Sequence, residues 1–436
     1  MIFFLIVGTH NLAQAQYVRS CGKVSPFSTL GAAPQVDDAT GRPYTGAKYL
    51  EFIPSLCVSE RYDSNVFYAP PTPGLQRDDF VTDVNPQVRV NHNGDYAAGY
   101  LDVGGFYETY VRNSDLNFFG TADTLYLNLD NSIKKLFPNA SFIVTDYVRY
   151  TPTPPGFSNV VAGTSPGSPV NIQNVYAQGL LSYRANNITN SATALANYKI
   201  TPLTTLNASY SNSILRYGST PVTSGALLFD VTTNTGSVGA ATQVTALDTL
   251  NVNYSHAQSD FTPHTTSGSA SSNQFITNTA TLGWSHTFTP YLAGQAGGGL
   301  IVIDPGLTTY ALNASLRFNT DNHVATLSYA RSAFPNFVGV GVPVISDVVS
   351  LSAIQKLAQQ WELDEFANFA HSTGAGGPTP FEYTTYSAGV DLYYWLTRIW
   401  STALSFDYIN FHQESGSFAS NFNRYAVTFN VKATWN

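Results

Sequence analysis

The sequence predicts an all-β protein: a transmembrane antiparallel up-and-down β-barrel of about 18 strands, with short turns at one end and long loops at the other. Three observations predict this fold. Candidate strands alternate between apolar and polar side chains, short turns recur at regular intervals, and the composition is poor in charge. A closed barrel in lipid accounts for all three.

The composition excludes typical soluble proteins and helical membrane proteins. Only 11% of the 436 residues are charged, which is few for a soluble protein. The mean hydropathy of −0.07 is too polar for a helical membrane protein, but a barrel with an apolar outer face and a polar interior averages to such a value. The net charge of −8 provides no basic stripe, so no nucleic-acid partner is expected.

The C-terminal segment shows the alternation most clearly, because side chains of a strand point to opposite faces in turn. Its apolar members are Tyr425, Val427, Phe429, Val431, Ala433 and Trp435. Its polar members are Thr428, Asn430, Lys432 and Thr434. An aromatic residue near the chain end resembles the closing strand of bacterial outer-membrane barrels, although Asn436 follows it here. The barrel-assembly machinery is therefore an expected partner.

Short turns set the strand number. They are predicted at His92–Asp95, Lys135–Ala140, Ile200–Thr204, Ala246–Asp248, Phe288–Tyr291, Asn319–Asn322, Ala358–Gln360 and Leu396–Arg398. Eight hairpins, a leading strand and a closing strand give about 18 strands, within a range of 16 to 18 and even in number. A two-sheet sandwich would also alternate, but it would carry more charge on its outer faces.

Loop length predicts the orientation. Outer-membrane barrels have short periplasmic turns and long extracellular loops, so the first strand is expected to run outward. Long loops rich in Gly, Pro, Ser and Thr are predicted at Pro152–Asn186, Gly218–Phe229, Thr262–Asn273 and Ala333–Ser346. The expected location is the outer membrane of a Gram-negative bacterium, with membrane lipid and lipopolysaccharide as partners.

Three segments are predicted along the chain. Residues 1–15 are interpreted as a signal peptide cleaved before Gln16, although the usual positive region is missing; a short buried helix is the alternative. Residues 16–48 form either a periplasmic segment or one inserted into the lumen, and residues 49–436 form the barrel. In an oxidising compartment Cys21 and Cys57 are candidates for a disulfide, with isolated thiols as the alternative.

Two sequence blocks carry a family resemblance. They are IPSLCVSERYDSNVF at Ile53–Phe67 and YRANNITNSATALANYKITPLTTLNASYSNS at Tyr183–Ser213. Both resemble the porin-like outer-membrane barrels associated with exosortase or exopolysaccharide systems, and the likeness extends from Lys48 to Asn436. The resemblance implies an outer-membrane location and a pore-like or export-associated role. It implies no catalytic residue and no substrate.

Alternation predicts which charged side chains face the lumen. They are Asp83, Arg89, Asp102, Glu108, Asp130, Arg149, Lys199, Arg317, Lys356, Glu362, Asp364, Asp391, Asp407 and Lys432. Acidic residues outnumber basic ones, which predicts a weak cation preference in a water-filled pore. The alternative is that these groups pair across neighbouring strands and only solvate the lumen.

No enzyme, cofactor or metal site is predicted. Glu362 and Asp364 form the densest carboxylate pair, but nothing in the sequence indicates a cleft or a perturbed acid beside them. The eight His residues are scattered, and the two cysteines form no Cys-x-x-Cys motif. The barrel is therefore expected to be no enzyme.

Aromatic residues near strand ends are interpreted as two interfacial girdles. The turn-side members are Tyr291, Trp361, Trp395, Trp400 and Trp435, and the loop-side members are Tyr107, Tyr110, Tyr150 and Tyr217. With polar lumen faces, this pattern favours a porin-like channel for small polar solutes, saccharides included. The alternative is an accessory barrel of an export system, or a sheath for a periplasmic partner such as an electron carrier. The oligomeric state is left undetermined.

Overall fold

The computed structural model describes residues 50–71, 74, 76–152, 185–218, 228–263, 273–304, 306–335, 343–375, 381–415 and 420–435. Its 18 strands, β1 to β18 in chain order, are Leu50–Asp63, Asp79–Asn93, Ala98–Tyr110, Phe118–Asn128, Ala140–Thr151, Asn187–Lys199, Thr204–Tyr217, Phe229–Gln243, Asp248–Pro263, Asn273–Thr289, Leu292–Asp304, Leu307–Asn319, His323–Pro335, Pro343–Ala358, Trp361–Gly374, Phe381–Trp395, Trp400–Ser415 and Ser420–Thr434.

Each strand pairs antiparallel with the next, and β1 pairs with β18 to close the barrel. The closing register runs from Ser55 opposite Thr434 to Asp63 opposite Ala426. A barrel leaves no unpaired sheet edge, which is the condition for placing strands in lipid. The prediction of a closed antiparallel barrel of about 18 strands is confirmed.

The eight predicted short turns all connect adjacent strands at one end of the barrel, which we call the turn end. The start of β1 and the end of β18 lie at the same end. The opposite end, which we call the loop end, carries most of the longer connections. The predicted loops Pro152–Asn186, Gly218–Phe229, Thr262–Asn273 and Ala333–Ser346 lie largely outside the described residues, as does all of 1–49.

Helix is limited to two short pieces among the described residues: a 3-10 turn at Ser114–Leu116 and one helical turn, α1, at Asp130–Ile133. No helix in the described part of the chain is both long and apolar enough to cross a membrane. Helix α1 corrects one prediction, because Asp130 lies in the β4–β5 connection and not on a lumen-facing strand. Its carboxylate accepts a 2.9 Å hydrogen bond from the Phe142 amide, which closes this turn.

The two faces of each strand differ as the alternation predicts. On β18, Phe429 is 52% exposed on the outer surface, whereas the neighbouring Asn430 is 2% exposed on the inner surface. Leu404 and Phe406 on β17 lie beside Phe429 and Val427 in register and are exposed on the same outer face. The outer face is thus an apolar band suited to lipid, and the inner face encloses the candidate functional site.

The aromatic girdles are present, but three predicted members do not belong to them. Trp361, Trp400 and Trp435 are exposed on the outer face at the turn end, and Tyr107 is exposed toward the loop end. Four further exposed tyrosines of the loop-side girdle are Tyr310, Tyr386, Tyr408 and Tyr425. Trp395, Tyr110 and Tyr217 are buried on the inner face instead, because strand parity and not nearness to a turn decides the side.

Candidate functional site

The inner wall divides into two sectors. The first, the neutral sector, comprises the inner faces of β6–β13 and consists mainly of hydroxyl and amide side chains. Its members halfway along the barrel include Ser209, Ser211, Thr235, Ser237, Asn251, Asn253, Ser255, Thr279, Thr281, Asn313 and Ser315, all half-buried. Only Lys199 and Arg317, both near the turn end, bring charge to the described inner faces of these strands.

Cross-strand hydrogen bonds order part of the neutral sector. Ser209 and Ser237 share a hydrogen bond of 2.7 Å, and toward the loop end Thr233 and Ser259 share one of 3.0 Å. Paired hydroxyls hold one another's rotamers and keep acceptor lone pairs available to a third group. This part of the wall can therefore hydrogen-bond a polar solute at many places without selecting its charge.

The second sector, the charged sector, comprises the inner faces of β14–β18 and β1–β3. Of the fourteen charged residues predicted to face the lumen, ten lie in it: Asp83, Arg89, Asp102, Glu108, Lys356, Glu362, Asp364, Asp391, Asp407 and Lys432. Arg149 lies on the inner face of β5, just outside it, and Arg317 lies in the neutral sector. The structure therefore gathers most predicted lumen charges on one side of the barrel.

Carboxylates concentrate on three adjacent strands of the charged sector. Asp364 on β15 lies directly opposite Asp391 on β16 in register, and both are buried. Asp407 on β17 lies opposite Gly389, where an added Cβ would come within 2.2 Å of the Phe366 ring and within 2.7 Å of the Asp407 Oδ1 atom. Glycine at this position therefore leaves room for both the Phe366 ring and the carboxylate.

Some lumen charges pair, as the second interpretation of the sequence describes. Arg89 donates two hydrogen bonds to Asp102, with Nε to Oδ1 at 2.7 Å and Nη2 to Oδ2 at 2.5 Å. The Arg89 guanidinium also lies 4.6 Å from the centre of the Tyr100 ring, which stacks on Tyr126 at 5.6 Å with an angle of 10° between the planes. Arginine favours such a site because it combines bidentate pairing with aromatic stacking.

A buried ion cluster at the loop end was missed by the sequence interpretation. Arg424 on β18 donates to Asp63 on β1, with Nη2 to Oδ2 at 2.6 Å, across the strands that close the barrel. Arg61 donates to Glu108 at 3.1 Å, and the Tyr110 hydroxyl donates to the same carboxylate at 3.0 Å. Strand parity could have found these residues, since Arg61 and Asp63 share the inner face with Cys57.

An apolar lining near the loop end was also missed. We call it the inner collar; its members are Tyr68, Ala185, Leu215, Tyr217, Leu228, Phe229, Val231, Phe261, Phe334, Val344, Val348, Ala370, Phe381, Tyr383, Ile409, Phe411 and Phe422. Tyr68, from the β1–β2 connection, packs edge-on against Phe422 with ring centres 6.4 Å apart. All members are buried, so the inner wall at this level is not in contact with bulk water.

Cys57 lies on the inner face of β1 in the charged sector, opposite Lys432 in register, and is 2% exposed. No cysteine in the described part of the chain is a free thiol. The predicted partner, Cys21, lies outside the described residues, so the pairing stays a prediction. Within the described residues, no group of three or more His, Cys, Asp or Glu side chains is placed to hold a metal ion.

Comparison with known proteins gives structural likeness alone. No protein-family model matches the chain, and no curated protein sequence matches it. Three solved structures are similar in fold. The siderophore receptor PirA from Pseudomonas aeruginosa has 9% identity and a TM-score of 0.43, covering 88% of this chain and 80% of that one. The outer membrane protein opdK from Pseudomonas aeruginosa has 9% identity and a TM-score of 0.44, with 88% and 99% covered.

The third structure is Pseudomonas aeruginosa OccK9 (OpdG), with 11% identity and a TM-score of 0.43, covering 88% of this chain and 99% of that one. These likenesses concern the barrel fold. The association with exosortase or exopolysaccharide systems stays a prediction.

Proposed function

We propose that this barrel is an outer-membrane channel for the passage of small polar solutes, saccharides included. The observation that carries the proposal is the neutral sector, whose half-buried hydroxyl and amide groups line one side of the lumen halfway along the barrel. Such groups replace the hydration of a neutral solute as it moves, and no single contact is strong enough to trap it.

Three tyrosines support saccharides as solutes. Tyr100 and Tyr126 stack on the inner face of β3 and β4, and Tyr147 lies on the inner face of β5 beside them. All three are half-buried, and β5 adjoins the neutral sector. The apolar face of a tyrosine ring packs against the CH groups on the face of a sugar ring, and the tyrosine hydroxyl can hydrogen-bond the sugar hydroxyls at the ring edge.

The proposed location is the outer membrane of a Gram-negative bacterium, with the turn end in the periplasm. Charged groups on the outer face toward the loop end support contact with lipopolysaccharide. Arg331 pairs with Asp347 there and lies 4.4 Å from the centre of the Tyr310 ring, while the Tyr329 hydroxyl donates to Asp347 at 2.6 Å. Such a cluster can exchange ion pairs with phosphate groups of the lipid.

A second candidate function is an accessory barrel, either of an exopolysaccharide export system or as a sheath around a periplasmic partner such as an electron carrier. The inner collar favours this candidate, because buried apolar side chains narrow the water-filled part of the lumen. A barrel whose main role is to hold a partner needs no continuous water path.

Conductance separates the two candidates. In planar bilayers the purified wild-type protein is expected to give discrete single-channel currents. Thr235 and Val238 supply a matched pair on β8, since Thr235 faces the neutral sector and Val238 faces lipid. In a Cys21→Ser, Cys57→Ser background, attaching a bulky methanethiosulfonate to Thr235→Cys should lower the conductance, because the group narrows the path.

The same reagent on Val238→Cys should leave the conductance unchanged. A wild-type barrel that inserts but carries no current would remove the channel proposal and favour the accessory role. Equal effects at the two cysteines would show that the neutral sector does not line the conducting path.

A further inference from the structure

Three serines of the charged sector are more deeply buried than three serines at a similar distance from the turn end in the neutral sector. Ser59, Ser387 and Ser405 lie on the inner face of the charged sector and are 3 to 5% exposed. Ser209, Ser211 and Ser237 lie at a similar distance from the turn end in the neutral sector and are half-buried. A serine on the concave wall of a wide barrel is covered only by its neighbours and by what lies in the lumen.

Charged side chains in the same region are also withdrawn from water. Asp391 and Lys432 are 2% and 4% exposed, although both face the barrel interior. Burying ionised groups is costly unless other polar groups replace their water. A polar segment lying against this side of the lumen would supply those groups, whereas water alone would leave the side chains exposed.

Cys57 connects this region to another part of the chain. It lies between Lys432 on β18 and Asn85 on β2 in register, on the inner wall of the charged sector, and is 2% exposed. The sequence has two cysteines, and the described one is not a free thiol. Its only intramolecular disulfide partner is therefore Cys21, within residues 16–48.

The length and the net charge of residues 16–48 suit them to the inner wall of the charged sector. The segment precedes Leu50, which begins β1 at the turn end of the charged sector, and its reach far exceeds the length of one strand. Its charged residues are Arg19, Lys23, Asp37, Asp38, Arg42 and Lys48, a net positive set. The inner wall of the sector is net negative, with acidic members Glu51, Asp63, Asp79, Asp83, Asp102, Glu108, Glu362, Asp364, Asp391 and Asp407 against basic members Arg61, Arg89, Lys356, Arg424 and Lys432.

We propose that residues 16–48 dock against the charged sector inside the barrel and are tethered there by a disulfide between Cys21 and Cys57. The segment then fills one side of the lumen and leaves the neutral sector as the remaining path. This inference does not depend on the barrel being a channel, because a sheath or an accessory barrel would hold the same segment.

Thiol labelling tests the docking directly. Two variants each leave Cys57 as the only cysteine: Cys21→Ser in the full chain, and a chain with its signal sequence intact but residues 17–48 deleted. With a membrane-impermeant methanethiosulfonate, Cys57 in the full chain should react at least about tenfold more slowly than in the deletion variant, because labelling must wait for the docked segment to open. Heat-modifiable migration on gels confirms that each barrel is folded.

Thr235→Cys in the neutral sector is the matched control. It is introduced into two chains that both carry Cys57→Ser: the full chain with Cys21→Ser, and the chain without residues 17–48. Thr235→Cys should label rapidly in both chains and at equal rates. Equal rates at Cys57 in the two chains would overturn the proposal, whether both are fast because the wall is open or both are slow because another element covers it.

A separate measurement tests the disulfide between Cys21 and Cys57. Non-reducing peptide mass spectrometry of the mature wild-type protein should find the Cys21 peptide linked to the Cys57 peptide. Recovery of both as unlinked thiols from protein purified without reductant would overturn the tether. These readouts require no current through the barrel, so a failure here is distinguishable from a failure of the channel proposal.

Discussion

Arginine at Phe429 is expected to destabilise the folded barrel by about 2 to 4 kcal/mol, the cost of placing this charge near the midplane of a bilayer on the lipid face of a barrel. Phe429 lies on the outer face of β18, between Tyr425 toward the loop end and Trp435 at the turn end. Urea titration of folding into lipid vesicles measures the change in unfolding free energy.

Three further substitutions test which face of its strand each residue occupies and how deep in the bilayer it lies. Val238→Arg, on the outer face of β8, should cost a similar amount, whereas Leu316→Arg should cost less because Leu316 lies near the turn end of β12. Thr235→Arg, on the inner face of β8, should cost little, since the side chain reaches the lumen. Equal costs for Val238→Arg and Thr235→Arg would contradict the assignment of the two faces.

The fold could be predicted because its determinants are local. Alternation along β18 places Val427 and Phe429 outside and Asn430 inside, and each short turn, such as Asn319–Asn322, pairs the strands on either side of it. In an up-and-down barrel every neighbour is also the next strand in sequence, apart from the closure. Identifying turns and alternation was therefore nearly equivalent to identifying the topology.

The predictions are wrong where the face of a residue is inferred from its nearness to a strand end and not from the alternation of side chains along the strand. Its place beside a turn at the end of β16 predicts that Trp395 belongs to the girdle, yet Trp395 shares the inner face with Asp391 and Tyr393. Asp130 fits the alternation of β4 if that strand is extended, but the chain leaves the sheet at Asn128. Both errors have the same cause: the end of a strand and its parity depend on register with a partner.

The inner wall was only partly predictable, since its organisation is not local. Each lumen charge could be assigned from its own strand, but the division into neutral and charged sectors appears only when 18 strands are placed side by side. The inner collar was missed because an inward Leu215 or Ile409 is not distinguished from a lipid-facing residue by hydrophobicity alone. The contact of Arg424 with Asp63 spans almost the whole chain.

Arg424→Ala is expected to be the most destabilising substitution on the inner wall, at about 3 to 5 kcal/mol, because it leaves a buried carboxylate without its main partner. Asp63 is 1% exposed and Arg424 5% exposed. The guanidinium bonds both carboxylate oxygens, at 3.0 Å from Nε to Oδ1 and 2.6 Å from Nη2 to Oδ2. The pair joins β18 to β1, so its loss should weaken the closure of the barrel.

Unfolding in urea and heat-modifiable migration after refolding would measure the effect, with Lys134→Ala as the control. Lys134 pairs with Asp130 on the surface of the β4–β5 connection and is half exposed, so its removal should cost less than about 1 kcal/mol. In a double-mutant cycle, Asp63→Ala combined with Arg424→Ala should cost less than the sum of the single changes by about 0.5 to 3 kcal/mol. Additive costs would show that the two side chains do not stabilise each other, and the closure would then depend on the backbone ladder of β1 and β18 alone.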